Sequence, residues 1–176
     1  ASEYAHKISP SAEAATGLGN MCYVKGDYNK AIEYYQEAVT LFTEDNDISD
    51  VLFRIAQAYH KQDQYQNARK YCKEALAKNP AQGQPHILLG IIYAQAKISD
   101  DPTLQKAVYW ASVDQFAKAK SVEPTETMIE QANKLIRTYS AYFPSKEEVF
   151  MHPDIEEGKS HHVGGWVNET TTARSK

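Results

Sequence analysis

The chain has 176 residues, a formal net charge of −4 and an isoelectric point near 5.9. Its content of 42% hydrophobic and 24% charged residues is ordinary for a soluble domain. No run of Lys and Arg exceeds two residues, so the positive footprint that nucleic acid requires is missing. No apolar stretch approaches the ~20 residues of a transmembrane helix. Composition therefore excludes nucleic acid as a partner and a membrane span as an element.

Near its start the chain has an alanine five residues before a proline, and this spacing occurs three times. The pairs are Ala5 with Pro10, Ala75 with Pro80 and Ala119 with Pro124. Because proline cannot continue a helix, each pair predicts a helix end. Residues 1–10 are therefore interpreted as the end of a preceding repeat, which would make this chain the C-terminal part of a longer array.

Two short patterns of small and aromatic residues recur along the chain, and the first recurs at steps of 37 and 34 residues. The first reads Leu18-Gly19-x-x-Cys22, Ile55-Ala56-x-x-Tyr59 and Leu89-Gly90-x-x-Tyr93. The second reads Ala31-x3-Tyr35-x2-Ala38, Ala68-x3-Cys72-x2-Ala75 and Ser112-x3-Phe116-x2-Ala119. Each pair of patterns predicts two amphipathic helices joined by a polar turn. The small residues allow the two helix axes to approach to about 8 Å.

These patterns divide the chain into units 11–46, 47–81 and 82–124. In the first unit helices are expected near 11–25 and 28–43, and Thr43–Asp47 forms a polar joint that accounts for the 37-residue step.

The third unit contains about ten extra residues between its two patterns, and Ser99–Pro102 within them is a helix-start signal. We expect a lengthened second helix over about 102–122, which carries Tyr109 and Trp110 and projects beyond its neighbours.

A capping segment is predicted at 125–144, with an amphipathic helix over about 126–142, because the last repeat of an array exposes an apolar face. The extension 145–176 has no repeat character. Ser145-x-x-Glu148 predicts a capped helical turn, and the following apolar residues are too many for a wholly solvated tail. From Asn168 the sequence is polar and is expected to fray.

The near-34-residue period with these small and aromatic positions resembles the tetratricopeptide repeat. The resemblance implies an all-α fold: a right-handed superhelix of three repeats, here with a capping helix and an irregular C-terminal extension. It also implies a protein–protein interaction module, a scaffold or adaptor, rather than an enzyme. Phe143–Met151 and Gly164–Trp166 resemble the ends of some bacterial envelope tetratricopeptide proteins of unassigned role, which points to the periplasm or cell envelope.

In tetratricopeptide arrays the first helices of successive repeats line a concave groove that binds an extended peptide or a partner helix. The resemblance assigns this role to Asn20, Tyr23, Phe53, Gln57, His60, Ile87 and Ile91. A carboxylate clamp, as in chaperone-binding members, is not expected. Where the clamp requires lysine, asparagine, lysine and arginine, this chain has Thr16, Gln57, Gln84 and Leu88. A buried partner carboxylate would therefore be uncompensated.

The apolar tail residues Phe150, Met151 and Trp166 are candidates for docking within the chain. Three interpretations stay open: the tail packs on the capping helix and seals the core, it occupies the apolar end of the groove, or it stays mobile or binds a partner. The alternative function is a structural or self-associating module, in which the lengthened helix and the tail mediate homo-oligomerisation.

No catalytic, metal-binding or cofactor-binding arrangement is predicted. Cys22 and Cys72 fall in helix-packing positions and indicate structural thiols. His152, His161 and His162 match no rigid ligand spacing, and adjacent histidines on an extended chain point to opposite sides. The expected partner is therefore a protein or peptide, with no cofactor involved.

Overall fold

The computed structural model describes residues 11–176, so the interpretation of residues 1–10 lies outside the described part of the chain. The chain divides into two compact units, of which the first ends at Ala81 and the second is Gln82–Lys176. Among the helices of residues 11–176, none combines the length and the apolar character that crossing a bilayer requires.

The first unit is built from helices. They are α1 Ala12–Val24, α2 Tyr28–Leu41, α3 Asp45–Lys61 and α4 Tyr65–Lys78. Side chains cap the first two helices: Ser11 accepts a hydrogen bond from the amide of Ala14 at 3.1 Å, and Asp27 accepts one from Lys30 at 3.2 Å. Each cap satisfies an amide that has no partner within the helix.

The lack of a side chain at Gly19 sets the distance between α1 and α2. A Cβ atom on Gly19 would lie 2.5 Å from the ring of Tyr35, so the aromatic ring of α2 fills the space that the glycine of α1 leaves open. Ala31 and Ala38 of α2 are fully buried beside it. Close approach through small residues is the role that the repeated pattern predicts for these positions.

The predicted polar joint at 43–47 is wrong in its extent. Helix α3 begins at Asp45, so the extra residues of the 37-residue step form its first turn instead of a longer loop. Asp45 and Asp47 lie in that turn, where negative charge is favourable at the positive end of the helix dipole. Asp45 also pairs with Lys78 Nζ at 2.9 Å, which ties α3 to the end of α4.

The second unit contains helices and one two-stranded sheet. Its elements are α5 Gln84–Tyr93, α6 Pro102–Gln105, α7 Ala107–Val122, α8 Glu126–Ser140, α9 Lys146–Met151, β1 Ser160–Val163 and β2 Glu169–Thr172. The strands pair antiparallel, with Ser160 opposite Thr172. The ring of Phe116 on α7 occupies the space beside Gly90 of α5, repeating the contact of the first unit.

The predicted single helix over 102–122 is wrong, because the chain breaks at Lys106 into α6 and α7. The inserted loop before α6 is held by Gln105. Its Nε2 donates to the carbonyl of Ala96 at 2.7 Å, and its Oε1 accepts from the amides of Ile98 and Ser99 at 2.9 and 3.2 Å. The insertion therefore folds back on the unit, and Trp110, expected on a projecting helix, is fully buried.

The extension after α9 contains a β-hairpin, so the expectation that the chain frays from Asn168 is wrong. The positive φ of Gly165, 62°, and of Asn168, 47°, turns the chain between the two strands. Beyond β2, the amide of Ala173 donates to the carbonyl of Lys159 at 2.9 Å. Hydrogen bonds to the hairpin and to α7 replace the solvation that a polar sequence would otherwise have.

Candidate functional site

Most of the predicted groove residues lie on two helices of the first unit, α1 and α3, the first helices of their repeats. These residues are Asn20, Tyr23, Phe53, Gln57 and His60, and we call them the α1/α3 surface. Every one of them is partly buried. Each side chain thus packs on the unit with one part and presents another part to solvent, as a binding surface requires.

Asn20 is held by two donors from neighbouring helices. Its Oδ1 accepts from the hydroxyl of Tyr35 on α2 at 2.8 Å and from Nη1 of Arg54 on α3 at 3.2 Å. Burial raises the pKa of Tyr35, so its hydroxyl is a protonated donor at neutral pH. With the oxygen occupied, the orientation of the carboxamide is set and its Nδ2 is the group that can donate to a partner.

Aromatic side chains supply the apolar part of the α1/α3 surface. Tyr23 meets Tyr28 edge to face, with ring centroids 5.3 Å apart, and both Tyr23 and Phe53 pack against the core of the first unit. Such pairs are stabilising beyond the area they bury. The rings are therefore anchored on their inner side and can offer their outer side to a ligand.

His60 lies in the last turn of α3, one turn after Gln57. Its ring centroid is 6.1 Å from that of Tyr65 on α4. Burial, together with the positive charge of Lys61, lowers the pKa of His60, although Asp63 opposes the shift. The ring is thus neutral at pH 7 and can both donate and accept a hydrogen bond.

The remaining predicted groove residues, Ile87 and Ile91, lie on α5 of the second unit. Ile87 is only 3% exposed, so its assignment to an accessible surface is wrong, whereas Ile91 is partly exposed. Helix α5 is apolar on nearly every side and buries seven of its ten residues. An apolar residue on such a helix belongs to the core by default.

The predicted docking of Phe150 and Met151 is wrong, since they are 87% and 73% exposed. Helix α9 starts at the capping box of Ser145 and Glu148 and turns Val149 inward. Successive residues of a helix are ~100° apart, so the two side chains that follow Val149 turn away from the core. Trp166 is partly buried, with its ring edge-on to that of Tyr93 of α5 and the ring centroids 6.1 Å apart.

Contacts that the sequence did not indicate hold the extension on α7, rather than on the capping helix. Arg174 Nη2 donates to Asp114 Oδ1 at 2.8 Å and to the carbonyl of Trp110 at 3.0 Å, and Thr171 bonds the other oxygen of Asp114. The apolar side chains that the extension buries are Val149, Ile155, Val163, Val167 and Ala173. The apolar residues in the sequence of the extension indicated that it packs on the fold. They did not indicate which helix it contacts.

The histidines of the extension do not converge. His152 Nε2 lies 3.4 Å from Asp101 Oδ2, His161 lies edge-on to Trp110 at 5.4 Å, and His162 is exposed on β1. Within residues 11–176, no three His, Cys, Asp or Glu side chains are grouped so as to hold a metal ion.

Comparison with known proteins identifies the family. A model of the tetratricopeptide repeat matches residues 10–81. Photosystem I assembly protein Ycf3 of Synechococcus elongatus, and that of a second Synechococcus strain, are each 30% identical over 67% of this chain and 74% of theirs. The chain belongs to the tetratricopeptide repeat family.

Solved tetratricopeptide domains share the fold. The TPR2B domain of yeast Sti1, solved as a pHsp70 complex, has a TM-score of 0.60 at 19% identity, over 74% of this chain and 96% of that domain. The first tetratricopeptide domain of Spaghetti (RPAP3), bound to the HSP90 peptide SRMEEVD, has a TM-score of 0.58 at 20% identity. The match covers 76% of this chain and 93% of that domain. The predicted family and helical-repeat fold are confirmed, and the likeness of the extension to envelope proteins stays a prediction.

Proposed function

We propose that this tetratricopeptide protein is a scaffold whose α1/α3 surface binds an extended segment of a partner protein. The main support is the geometry of Asn20, whose oxygen is fixed by Tyr35 and Arg54 so that its amide nitrogen is left as a donor. An extended peptide presents a main-chain carbonyl every residue, and fixed amides can bind such carbonyls whatever the peptide sequence.

The other groups of the surface would set the choice of partner. Tyr23 and Phe53 offer apolar rings to a partner side chain, and Gln57 adds a second carboxamide one repeat after Asn20. The exposed guanidinium of Arg54 lies beside Asn20 and favours an acidic residue next to that contact. A full carboxylate clamp is not proposed, since Thr16 donates its hydroxyl to the carbonyl of Ala12 and supplies no positive charge.

The Synechococcus relatives are named for the assembly of photosystem I. That name supports a role for this chain in bringing together parts of a larger complex. Neither the complex nor its subunits follow from the likeness.

Site-specific crosslinking tests the proposal. A photoreactive phenylalanine analogue in place of Gln57 should crosslink one partner in extracts of the source cells. The same analogue at Gln66, an exposed glutamine of α4, is the matched control and should not. The Asn20→Ala and Gln57→Ala changes together should weaken capture of the purified partner about tenfold or more while helicity stays unchanged.

Equal crosslinking from both positions would overturn the assignment of the α1/α3 surface. A crosslinked product that contains only this chain would support the alternative, a self-associating module, over a scaffold for other proteins.

A further inference from the structure

The second unit carries an open pocket of about 550 Å³, distant in sequence from the α1/α3 surface. Asp101 and Leu104, at the start of α6, form one side. Met151 and Pro153, at the end of α9 and just after it, form another. The break at Lys106 and the folded-back insertion create this pocket, so it belongs to the part of the chain that departs from the regular repeat.

The rim of the pocket is acidic, and its carboxylates fall into two kinds. Asp101 and Glu148 are structural: Asp101 caps α6 through the amides of Thr103 and Leu104, and Glu148 binds Lys106 Nζ at 2.6 Å. Hydrogen bonds from these donors lower the pKa of both carboxyl groups, so they stay charged at neutral pH. Glu147 and Asp154 also line the pocket, and both are exposed.

Two large apolar side chains stand beside these carboxylates in solvent. Phe150 is 87% and Met151 73% exposed, and Met151 also lines the pocket. Glu147 precedes them by three and four residues, so all three lie on one face of α9. Single exposed apolar residues are ordinary, but contiguous ones mark an interaction surface, and here Met151 continues that surface into the pocket.

We infer that this pocket, together with Phe150, is a docking surface for a partner segment that carries a large apolar side chain beside a lysine or arginine. The apolar side chain would enter between Leu104 and Met151. The cation would meet Glu147 and Asp154, whose charges have no opposite charge within 4 Å in residues 11–176. A second copy of the chain is disfavoured as the occupant, because two acidic rims on chains of net charge −4 repel one another.

This docking surface is independent of the α1/α3 surface, so either can fail without the other. The probe is a displayed library of random peptides, selected on the full chain, from which representative peptides are synthesised. We expect the selected peptides to share an aromatic or aliphatic residue next to Lys or Arg. Their binding should weaken as salt is raised, since exposed charges are screened.

Variants locate the binding. Met151→Glu and Glu147→Lys should each weaken these peptides about tenfold or more, since each removes one half of the recognition. Both positions are exposed, so the fold should survive, whereas Asp101 and Glu148 are left intact because they hold the pocket together. Val24→Glu, at an apolar residue of the first unit that is 85% exposed, is the matched control and should leave binding unchanged.

Three outcomes would overturn the inference. The first is a set of selected peptides that lack basic residues. The second is binding to Met151→Glu as tight as to the unchanged chain, together with loss of binding in Val24→Glu. The third is a mass that rises with concentration by light scattering and is restored to that of a monomer by Met151→Glu, which would make a second copy the occupant.

Discussion

Trp110 and Arg174 hold each other through a reciprocal pair of hydrogen bonds. The indole Nε1 of Trp110 donates to the carbonyl of Arg174 at 2.8 Å, and Nη2 of Arg174 donates to the carbonyl of Trp110 at 3.0 Å. The guanidinium also lies 5.3 Å over the ring of Phe143. A fully buried helix residue and a residue 64 positions later thus share one site, which makes the C-terminal extension part of the core of the second unit.

Removing residues 160–176 should therefore destabilise the second unit. The truncation exposes Trp110 and removes the buried side chains Val163 and Val167, each of which stabilises the fold by ~1.5–3 kcal/mol. For a chain of this size, each kcal/mol lowers the melting temperature by roughly 2–4 °C, so a fall of about 10 °C or more is expected. Thermal unfolding followed by far-ultraviolet circular dichroism measures it, because the truncation also removes Trp166 and so changes the fluorescence. A Thr172→Ser change, at an exposed site of β2, is the control, and an unchanged melting temperature after truncation would contradict the docked extension.

Replacing each of two glycines of α1 by alanine should change the stability of the first unit in opposite directions. A Cβ at Gly17 meets no atom within 4 Å, so Gly17→Ala should stabilise the first unit by up to about 1 kcal/mol through helix propensity. Gly19→Ala places a Cβ against the ring of Tyr35, and overpacking costs about 1–3 kcal/mol, which exceeds that gain. Urea unfolding followed by far-ultraviolet circular dichroism measures both, and stabilisation by both changes would refute the close contact of α1 with α2.

The free cysteines should differ in reactivity. Cys72 is fully buried and burial raises the pKa of its thiol, so the native protein contains almost no accessible thiolate at this position. Cys22 is partly exposed and should react with a maleimide in the folded chain. In a Cys22→Ser variant, labelling should begin only when urea unfolds the first unit. Rapid labelling of that variant without urea would contradict the full burial of Cys72 on α4.

Acid should weaken the second unit through His161. Burial against Trp110 is the largest cause that lowers the pKa of His161, with the charges of His152 and His162 adding to it. The unfolded chain then binds a proton more readily than the folded chain, so stability falls as the pH drops below about 6.5.

A His161→Gln variant should lose less stability than the unchanged protein between about pH 7.5 and pH 5.5. Urea midpoints from tryptophan fluorescence measure this, because both tryptophans, Trp110 and Trp166, lie in the second unit. His162→Gln, on the exposed side of β1, removes only a lesser cause of the lowered pKa of His161 and should keep most of the pH dependence. An equal pH dependence in both variants would rule out His161 as the cause.

The repeats could be predicted from the sequence because their packing is local. Gly19 with Tyr35, and Gly90 with Phe116, report contacts between consecutive helices, and such contacts recur with the period of the repeat. The positions of Asn20 and Gln57 on first helices follow from the same period. Arg54 was missed because an exposed cation carries no periodic signal, and only the structure brings it to Asn20.

The extension could not be predicted, because its contacts are long-range and its strands are polar. Strand β2 reads Glu-Thr-Thr-Thr, which has no apolar alternation. Thr171 of β2 and Arg174 after it bond to Asp114 and Trp110 of α7, which lie about 60 residues earlier. The break at Lys106 likewise depends on a contact outside the helix, in which the side-chain carboxamide of Gln105 bonds the inserted loop. Glutamine and lysine both favour helices, so their sequence does not indicate a helix end.

The position of Arg174 also orders the events of biosynthesis. The core of the first unit is complete once Ala75 has been translated, but α7 keeps Trp110 uncovered until Arg174 emerges from the ribosome about 100 residues after Ala75. During that interval the first unit has all of its core residues, whereas the indole of Trp110 on the second unit stays exposed. The contact of Trp110 with Arg174 can therefore form only after the first unit has all of its core residues.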